Sequence, residues 1–443
     1  MNSAIRAKLS VMMFLEYVIW GAWLPLLGLY LGADYLDFGR LEKAWIFGAF
    51  AIASLTGMFF GGQLADRYFA QEKFLAFSHL IGGLSMLALA YQKTFWPFFG
   101  LMMLHCFFYV PTLSVTNSIA FSNLKDAQKD FGFIRLWGTI GWIAAAWPFI
   151  FIPIDWSKVP ALDQAGGIVP WLGTVLSKEV LKTGPSMAAA LSSTFTVAGL
   201  VSLVLAVFCL TIPHTPPSKS EASAFAPIEA FKLLAVPSIL VLFFVTFLDS
   251  LVHWCYFVWT SSFLPKLGLP ENWIQPAMSI GQIAEIFTMA WLGYFLKRLG
   301  WRRTMIIGIL GHVVRFGIYS LGYYYQGTMW LWIVILSNVV HGFAYAFFFA
   351  TVYIFVDETF PKDIRTSAQS LFNLLILGLG PFLGGFLWSW LGDVFKTPGG
   401  EIQFGYLFLV PLAFGVLASI ILAVAFHPEA KEPVPEEVPV LVA

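Results

Sequence analysis

The sequence predicts an all-α membrane protein, with twelve transmembrane helices in two six-helix bundles, and three observations carry that prediction. The chain is 59% hydrophobic and only 11% charged, where a soluble domain has roughly 25% charge. Twelve apolar windows, near 9–31, 44–64, 74–91, 95–121, 133–153, 189–212, 233–263, 274–296, 303–323, 329–357, 368–391 and 403–426, match the length of about 20 residues that a spanning helix needs. A polar break rich in proline, serine and alanine, TIPHTPPSKSEASAFAPIEAFK, follows the sixth window.

These signals divide the chain into an N-terminal bundle over 1–212, a cytoplasmic linker over 213–232, a C-terminal bundle over 233–427 and a tail over 428–443. The tail, PEAKEPVPEEVPVLVA, is rich in proline and glutamate and is expected to be disordered. The first window begins on Arg6 and Lys8 like a leader, but its apolar run passes 20 residues without a small-residue cleavage site, so it is expected to be a retained helix. The segment 154–188, with Pro160, Gly166, Gly167 and Pro170, is expected to be an external loop carrying one short surface helix. Pro25, Pro111, Pro148, Gly378 and Pro381 fall inside windows, where neighbouring helices or a water-lined cavity can satisfy the freed backbone groups. Short matches repeat in the same order in each half. GGQLADRYF after window two pairs with GYFLKRLGWRR after window eight, and NLKDAQKDFGFIR before window five with DETFPKDIR before window eleven. That order is what parallel repeats about an axis normal to the membrane produce.

Charge placement orients the chain. With both termini cytoplasmic, fifteen Lys and Arg lie inside and eight outside, three of the eight in the 154–188 loop, which is the positive-inside bias. The formal net charge of zero supplies no basic face for nucleic acid. Cys106, Cys209 and Cys255 all fall within windows and are expected to be buried apolar residues. No metal-ligand spacing or phosphate-cradling loop is present, so no metal site is expected, and the glycines of GMFFGG and LGLGPFLGG are expected to serve close helix packing.

Ionisable residues at membrane depth are costly and mark transport paths or structural pairs. In FIRLWGTIGWIAAAW, the offsets of Arg135, Thr139 and Trp142 place a guanidinium, a hydroxyl and an indole on one face of the fifth helix. In PAMSIGQIAEIF, Ser279, Gln282 and Glu285 recur every third residue, and Glu285 is the leading proton-carrier candidate. A carboxyl shut away from water sheds the cost of its charge by taking a proton. Arg315, three residues beyond His312, is expected to be a structural counter-charge. Three roles are open to Glu16 in FLEYVIWGAW: contacting ligand, sharing a proton, or pairing with Arg135; Asp34 is a weaker candidate for the proton. HWCYFVW supplies His253, Trp254, Tyr256 and Phe257, while His341 and Tyr345 lie four residues apart on the tenth helix, enough rings to line a pocket.

The strings FLEYVIWGAWLPLLGLYL, YVPTLSVTNSIAF, FIRLWGTIGW, SIGQIAEIF and RTSAQSLFNLLILGLGPFLGG, with ADR at 65–67, resemble the bacterial nucleoside:proton symporter family of the major facilitator superfamily. The resemblance covers roughly residues 5–425 apart from the 154–188 loop. It implies the major facilitator fold, and proton-driven import of nucleosides across the bacterial inner membrane by alternating access. It further implies a monomer embedded in lipid, with the proton as coupling ion and no other cofactor. In that family an arginine, a threonine and an aromatic of the fifth helix correspond to Arg135, Thr139 and Trp142, where better-studied members carry phenylalanine at the last place. Gln282 and Glu285 match the eighth-helix pair, Tyr345 a tenth-helix aromatic, and His341 stands where a tyrosine occurs. On the seventh helix the polar amides are replaced: Trp254 and Phe257 occupy the nearest positions and His253 is the nearest polar substitute. The site implied is therefore Arg135, Thr139, Trp142, His253, Trp254, Phe257, Gln282, Glu285, His341 and Tyr345, with Glu285, and secondarily Glu16, as proton carriers. The same polar groups suit a sugar or another small polar metabolite, which is the alternative substrate class. An enzyme acting on lipid would need a nucleophile–base or metal arrangement, and none is present.

Overall fold

The structure, a computed structural model, describes residues 3–124, 127–216, 234–359, 369 and 371–427, without the side chains of 57–68 and 127–130. The expected tail, most of the linker and residues 360–365 of the DETFPKDIR string lie outside the described residues.

Every apolar window folds as helix, because a segment with few polar side chains can satisfy its backbone internally only that way. In order these are α1 (Ser3–Tyr30), α2 (Arg40–Tyr68), α3 (Gln71–Leu89), α4 (Phe95–Asn123), α5 (Ala127–Ala146), α6 (Gly184–Cys209) and α7 (Pro237–Phe263), then α8 (274–299), α9 (301–325), α10 (Gly327–Thr359), α11 (Leu371–Val394) and α12 (Phe404–Ala425). Among the described residues, ten helical stretches are long and apolar enough to cross a membrane, and one of them, Glu271–Tyr325, contains both α8 and α9. With the 29-residue α2 the spans number twelve. α8 and α9 are separated at Gly300, whose φ of 72° and ψ of 176° fall where glycine alone is comfortable. Two π-helical turns, Tyr345–Ala350 in α10 and Leu374–Leu379 in α11, interrupt the regular helices.

α1 packs on α5 and α6, α3 on α4 and α6, and α2 on α4; in the second half α7 packs on α11 and α12, and the α8–α9 pair on α10 and α12. Between the halves α1 meets α7, α2 meets α11 and α5 meets α8. The small residues expected to serve packing do so in α11: a Cβ on Gly378, Gly380 or Gly384 would run into Leu55, Ser250 or Trp254. All three cysteines are buried and free. The 154–188 segment holds the short helix Ile168–Val175 and is closed by an antiparallel bridge between Ile154 and Leu181.

One end of the interface between the halves is tied by hydrogen bonds. The Leu29 amide donates to Ser261 Oγ at 3.2 Å, Gln275 Nε2 to the Ala22 carbonyl at 2.6 Å, Asn272 Nδ2 to the Ile150 carbonyl at 3.0 Å and Tyr35 OH to Glu271 Oε1 at 2.6 Å. Arg40 and Asp393 add an ion pair at 3.8 Å, and Trp273 Nε1 reaches the Leu176 carbonyl in the 154–188 segment at 3.1 Å.

Candidate functional site

A cavity of about 500 Å³ lies between the halves, behind that tied end. Its wall includes all ten residues that spacing and resemblance had grouped: Arg135, Thr139 and Trp142 from α5, His253, Trp254 and Phe257 from α7, Gln282 and Glu285 from α8, and His341 and Tyr345 from α10. Ser114 and Asn117 of α4, Tyr353 of α10 and Asn373 of α11 extend the wall away from the tied end.

Local packing fixes each group. Arg135 lies back on α1, its guanidinium 4.2 Å above the Tyr17 ring, a cation–π contact that steadies a charge in an apolar wall. Gly138 gives it room, since a Cβ there would stand 2.6 Å from Arg135 Nη1 and 2.8 Å from Tyr17. Trp142 stands edge-on to Trp20 at 5.2 Å and to Phe257 across the interface at 6.4 Å. Trp20 in turn stacks on Phe50 at 4.7 Å. Glu285 is set by the contact of α8 with α10 at Gly342, where a Cβ would come within 2.5 Å of the Glu285 amide nitrogen. Thr288 Oγ1 locks the same crossing by donating to the Gly342 carbonyl at 2.9 Å. Tyr345 enters the cavity at the start of a π-helical turn, a distortion frequent at functional sites. Arg135 and Glu285 line the same cavity, and no ion pair joins them among the described residues. A guanidinium and a carboxylate that face one space without closing on each other can both serve a bound molecule.

His253 stacks on His341 at 5.0 Å. Behind the wall, His341 Nδ1 accepts from Arg315 Nη1 at 2.6 Å, and Arg315 Nη2 reaches His312 Nδ1 at 2.9 Å. His312 Nε2 is 3.7 Å from Asp249, whose two oxygens have no hydrogen-bond partner. Arg315 is thus a structural residue of α9, outside the cavity, as expected. The acidic residue expected to face it is Asp249 of α7, which interacts with the guanidinium electrostatically, while the two histidines accept its hydrogen bonds.

Glu16 requires a correction. It is fully buried within the N-terminal half, absent from the cavity wall and unpaired with Arg135. Its Oε2 meets His79 Nε2 at 2.8 Å and its Oε1 accepts from Thr112 Oγ1 at 2.6 Å. Neither the ligand contact nor the Arg135 pair is formed, because the carboxylate is held by His79 and Thr112. The physical reason is helical phase: one residue is about 100° of helix, so Tyr17 faces the cavity while Glu16 faces α3 and α4. Sequence reasoning passed over Tyr17 and Trp20, although their i, i+3 spacing in FLEYVIW put them on one face. It also passed over Asp249, visible as an acid within an apolar run, and over the Tyr353–Asn373 hydrogen bond of 2.6 Å.

A chain of twelve spans in two halves, with a cavity between them, has the architecture of the major facilitator class of secondary transporters. It belongs to the nucleoside H+ symporter family, whose description matches residues 1–165 and 164–431. YegT of Escherichia coli K12, provisionally named a nucleoside transporter, is 33% identical over 394 residues, covering 85% of this chain and 82% of the relative. Nucleoside permease NupG of the same organism is 26% identical over 439 residues, covering 95% of each chain, and its xanthosine permease is 26% identical over 416 residues, covering 89% and 90%. The crystal structure of NupG superposes with a TM-score of 0.78 at 24% identity, covering 97% of this chain and all of that one. A D-xylose–proton symporter shares the fold at a TM-score of 0.67 and 16% identity over 96% of this chain and 99% of its own.

Proposed function

We propose that the chain imports nucleosides together with protons across the bacterial cytoplasmic membrane, as a monomer with both termini inside, by alternating access of its two halves. The observation that carries this reading is the convergence of Arg135, Gln282 and Glu285 with Trp142 and Tyr345 on one cavity. A nucleoside offers a flat neutral base and vicinal hydroxyls. The base stacks on Trp142 or Tyr345; Arg135 and the Gln282 amide donate to ribose or base oxygens, and Glu285 accepts from a hydroxyl. A nucleotide is disfavoured because its phosphates need several basic groups, and Arg135 is the one guanidinium among the described lining residues.

Glu285 carries the proton in this scheme. Protonated from outside, it lets the substrate-filled cavity close as a neutral unit; opening inward releases nucleoside and proton. With the termini inside, the tied end is external and the wall through Asn117, Tyr353 and Asn373 leads to the cytoplasm, which makes this arrangement inward-facing. Glu16, engaged elsewhere, is assigned a structural role.

Reconstituted vesicles with an imposed pH gradient test the reading, using radiolabelled uridine, adenosine and a hexose. Gradient-dependent accumulation of a nucleoside, lost in Glu285→Gln while nucleoside exchange persists, is the expected result. Accumulation of the hexose alone would overturn the substrate class, and full gradient-driven uptake by Glu285→Gln would overturn the proton assignment.

A further inference from the structure

The Arg315 network leads to a conclusion about the cavity that none of its members gives alone. Arg315 is completely buried, with its guanidinium 4.4 Å over the Tyr256 ring and bonded to the Nδ1 atoms of both His312 and His341. A guanidinium has donors and no acceptor. Each of those Nδ1 atoms must therefore accept, and neither can carry a proton. Both rings are then neutral with their single N–H at Nε2. The doubly protonated ring is excluded, so His341, although it lines the cavity, is barred from carrying the coupling proton while Arg315 is in place.

The fixed tautomer reaches one residue further. His341 Nε2 faces the side-chain nitrogen of Gln282 at 3.4 Å, while the amide oxygen of Gln282 is buried without a partner. Two N–H groups cannot bond each other. The amide's oxygen and nitrogen ends are assigned from hydrogen bonding, and turning it over gives His341 Nε2–H an acceptor and the oxygen its missing partner. The NH2 group is then the end of Gln282 left for a ligand.

We propose that Arg315 is a positioning residue of the transport site: it locks His341 as the Nε2–H tautomer and thereby orients the Gln282 amide with its NH2 available to the substrate. The proposal rests on the reading of this cavity as the nucleoside site. It makes this wall select a hydrogen-bond acceptor, a base carbonyl, an unprotonated ring nitrogen or a ribose oxygen.

Solid-state NMR of the full-length chain in lipid vesicles, with ring-15N histidine, tests it. The chain has seven histidines, and the difference between the wild-type and His341→Gln spectra identifies the ring concerned. The expected result is a protonated Nε2 and a bare Nδ1 at His341 in the wild type. In Arg315→Gln, signals of the Nδ1–H form should appear and the KM for nucleoside rise about tenfold with kcat held, the size of one lost oriented hydrogen bond. If that variant does not fold, Asp249→Asn/Arg315→Gln removes both charges together and is read in the same way. A wild-type His341 protonated at Nδ1, or a tautomer unchanged when Arg315 is replaced, would overturn the proposal. The tautomer is read without transport, so a chain that failed to carry nucleosides would fail the uptake test and leave this result standing.

Discussion

The two halves of the molecule each bury a carboxylate beside a histidine, on helices that correspond when the halves are exchanged, and the two clusters differ in what they leave unsatisfied. In the first half, Glu16 of α1 meets His79 of α3, and both carboxylate oxygens are bonded, the second by Thr112 of α4. His79 Nδ1 is taken by Ser202 of α6 at 3.1 Å. In the second half, Asp249 of α7 meets His312 of α9 at 3.7 Å and accepts no hydrogen bond. Three residues after His79 stands Gly82; three after His312 stands Arg315. That one difference turns a closed cluster into one that runs on through His341 to the cavity wall. The lesson is that equivalent buried polar groups divide into an anchor for a bundle and a support for a binding site, according to whether every partner is found inside the bundle.

The comparison can be broken most directly at the anchor. Glu16→Leu takes the Nε2 partner from buried His79, and removing one member of a buried pair costs about 3–5 kcal/mol, so a large fall in the thermal unfolding temperature in detergent is expected. Nucleoside affinity of the protein that remains folded should fall much less than stability, because the Glu16 side chain is absent from the cavity wall. A strong loss of affinity with stability intact would reverse the assignment.

Arg135→Ala should show the opposite pattern. Bonds to a charged group contribute roughly 1.5–3 kcal/mol, so direct nucleoside binding should weaken about 10- to 100-fold with little change in unfolding temperature. Unchanged binding would reduce Arg135 to a structural role. Asp249→Asn should cost less than Glu16→Leu, about 1–2 kcal/mol against the roughly 3–5 of a directly bonded pair. Its oxygens give up no hydrogen bond, and what is lost is electrostatic attraction to Arg315. An equal loss at the two positions would put both clusters on the same footing. The smallest net effect is expected from Glu16→Leu/His79→Leu, because replacing a whole buried pair by apolar groups is often close to neutral. Most of the Glu16→Leu loss should be recovered in the unfolding curve, and additive losses would show that the pair is not the unit of stability.

Much of the site was legible before the fold. Arg135, Thr139 and Trp142 are spaced to share a helix face, as are Gln282 and Glu285, and both groups do line the cavity. Spacing left three roles open for Glu16, because phase within one string decides among them, and its neighbour Tyr17 holds the cavity position. It had no means of reaching Asn117, Tyr353 or Asn373, single polar residues in apolar helices whose significance depends on which helix lies opposite. The π-helical turn that sets Tyr345 has no distinctive composition, since YAFFFA differs little from the regular helix around it.

What the sequence by itself determined is the number of spans, the division into halves and the charges that sit at membrane depth. These are local properties: a stretch of about 20 apolar residues must become a helix in a bilayer, whatever lies beside it. What only the tertiary structure decided is which charges meet. Arg135 and Glu285 are 150 residues apart in the chain, by their numbers, and face one cavity because α5 meets α8 across the interface. Arg315 and His341 are joined because α9 packs on α10, and Glu16 is withdrawn from the cavity because α3 and α4 offer it two hydrogen bonds. Hydrogen bonds between helices depend on distances of a few tenths of an ångström and on side-chain direction, and neither is encoded in the spacing of residues along a single helix.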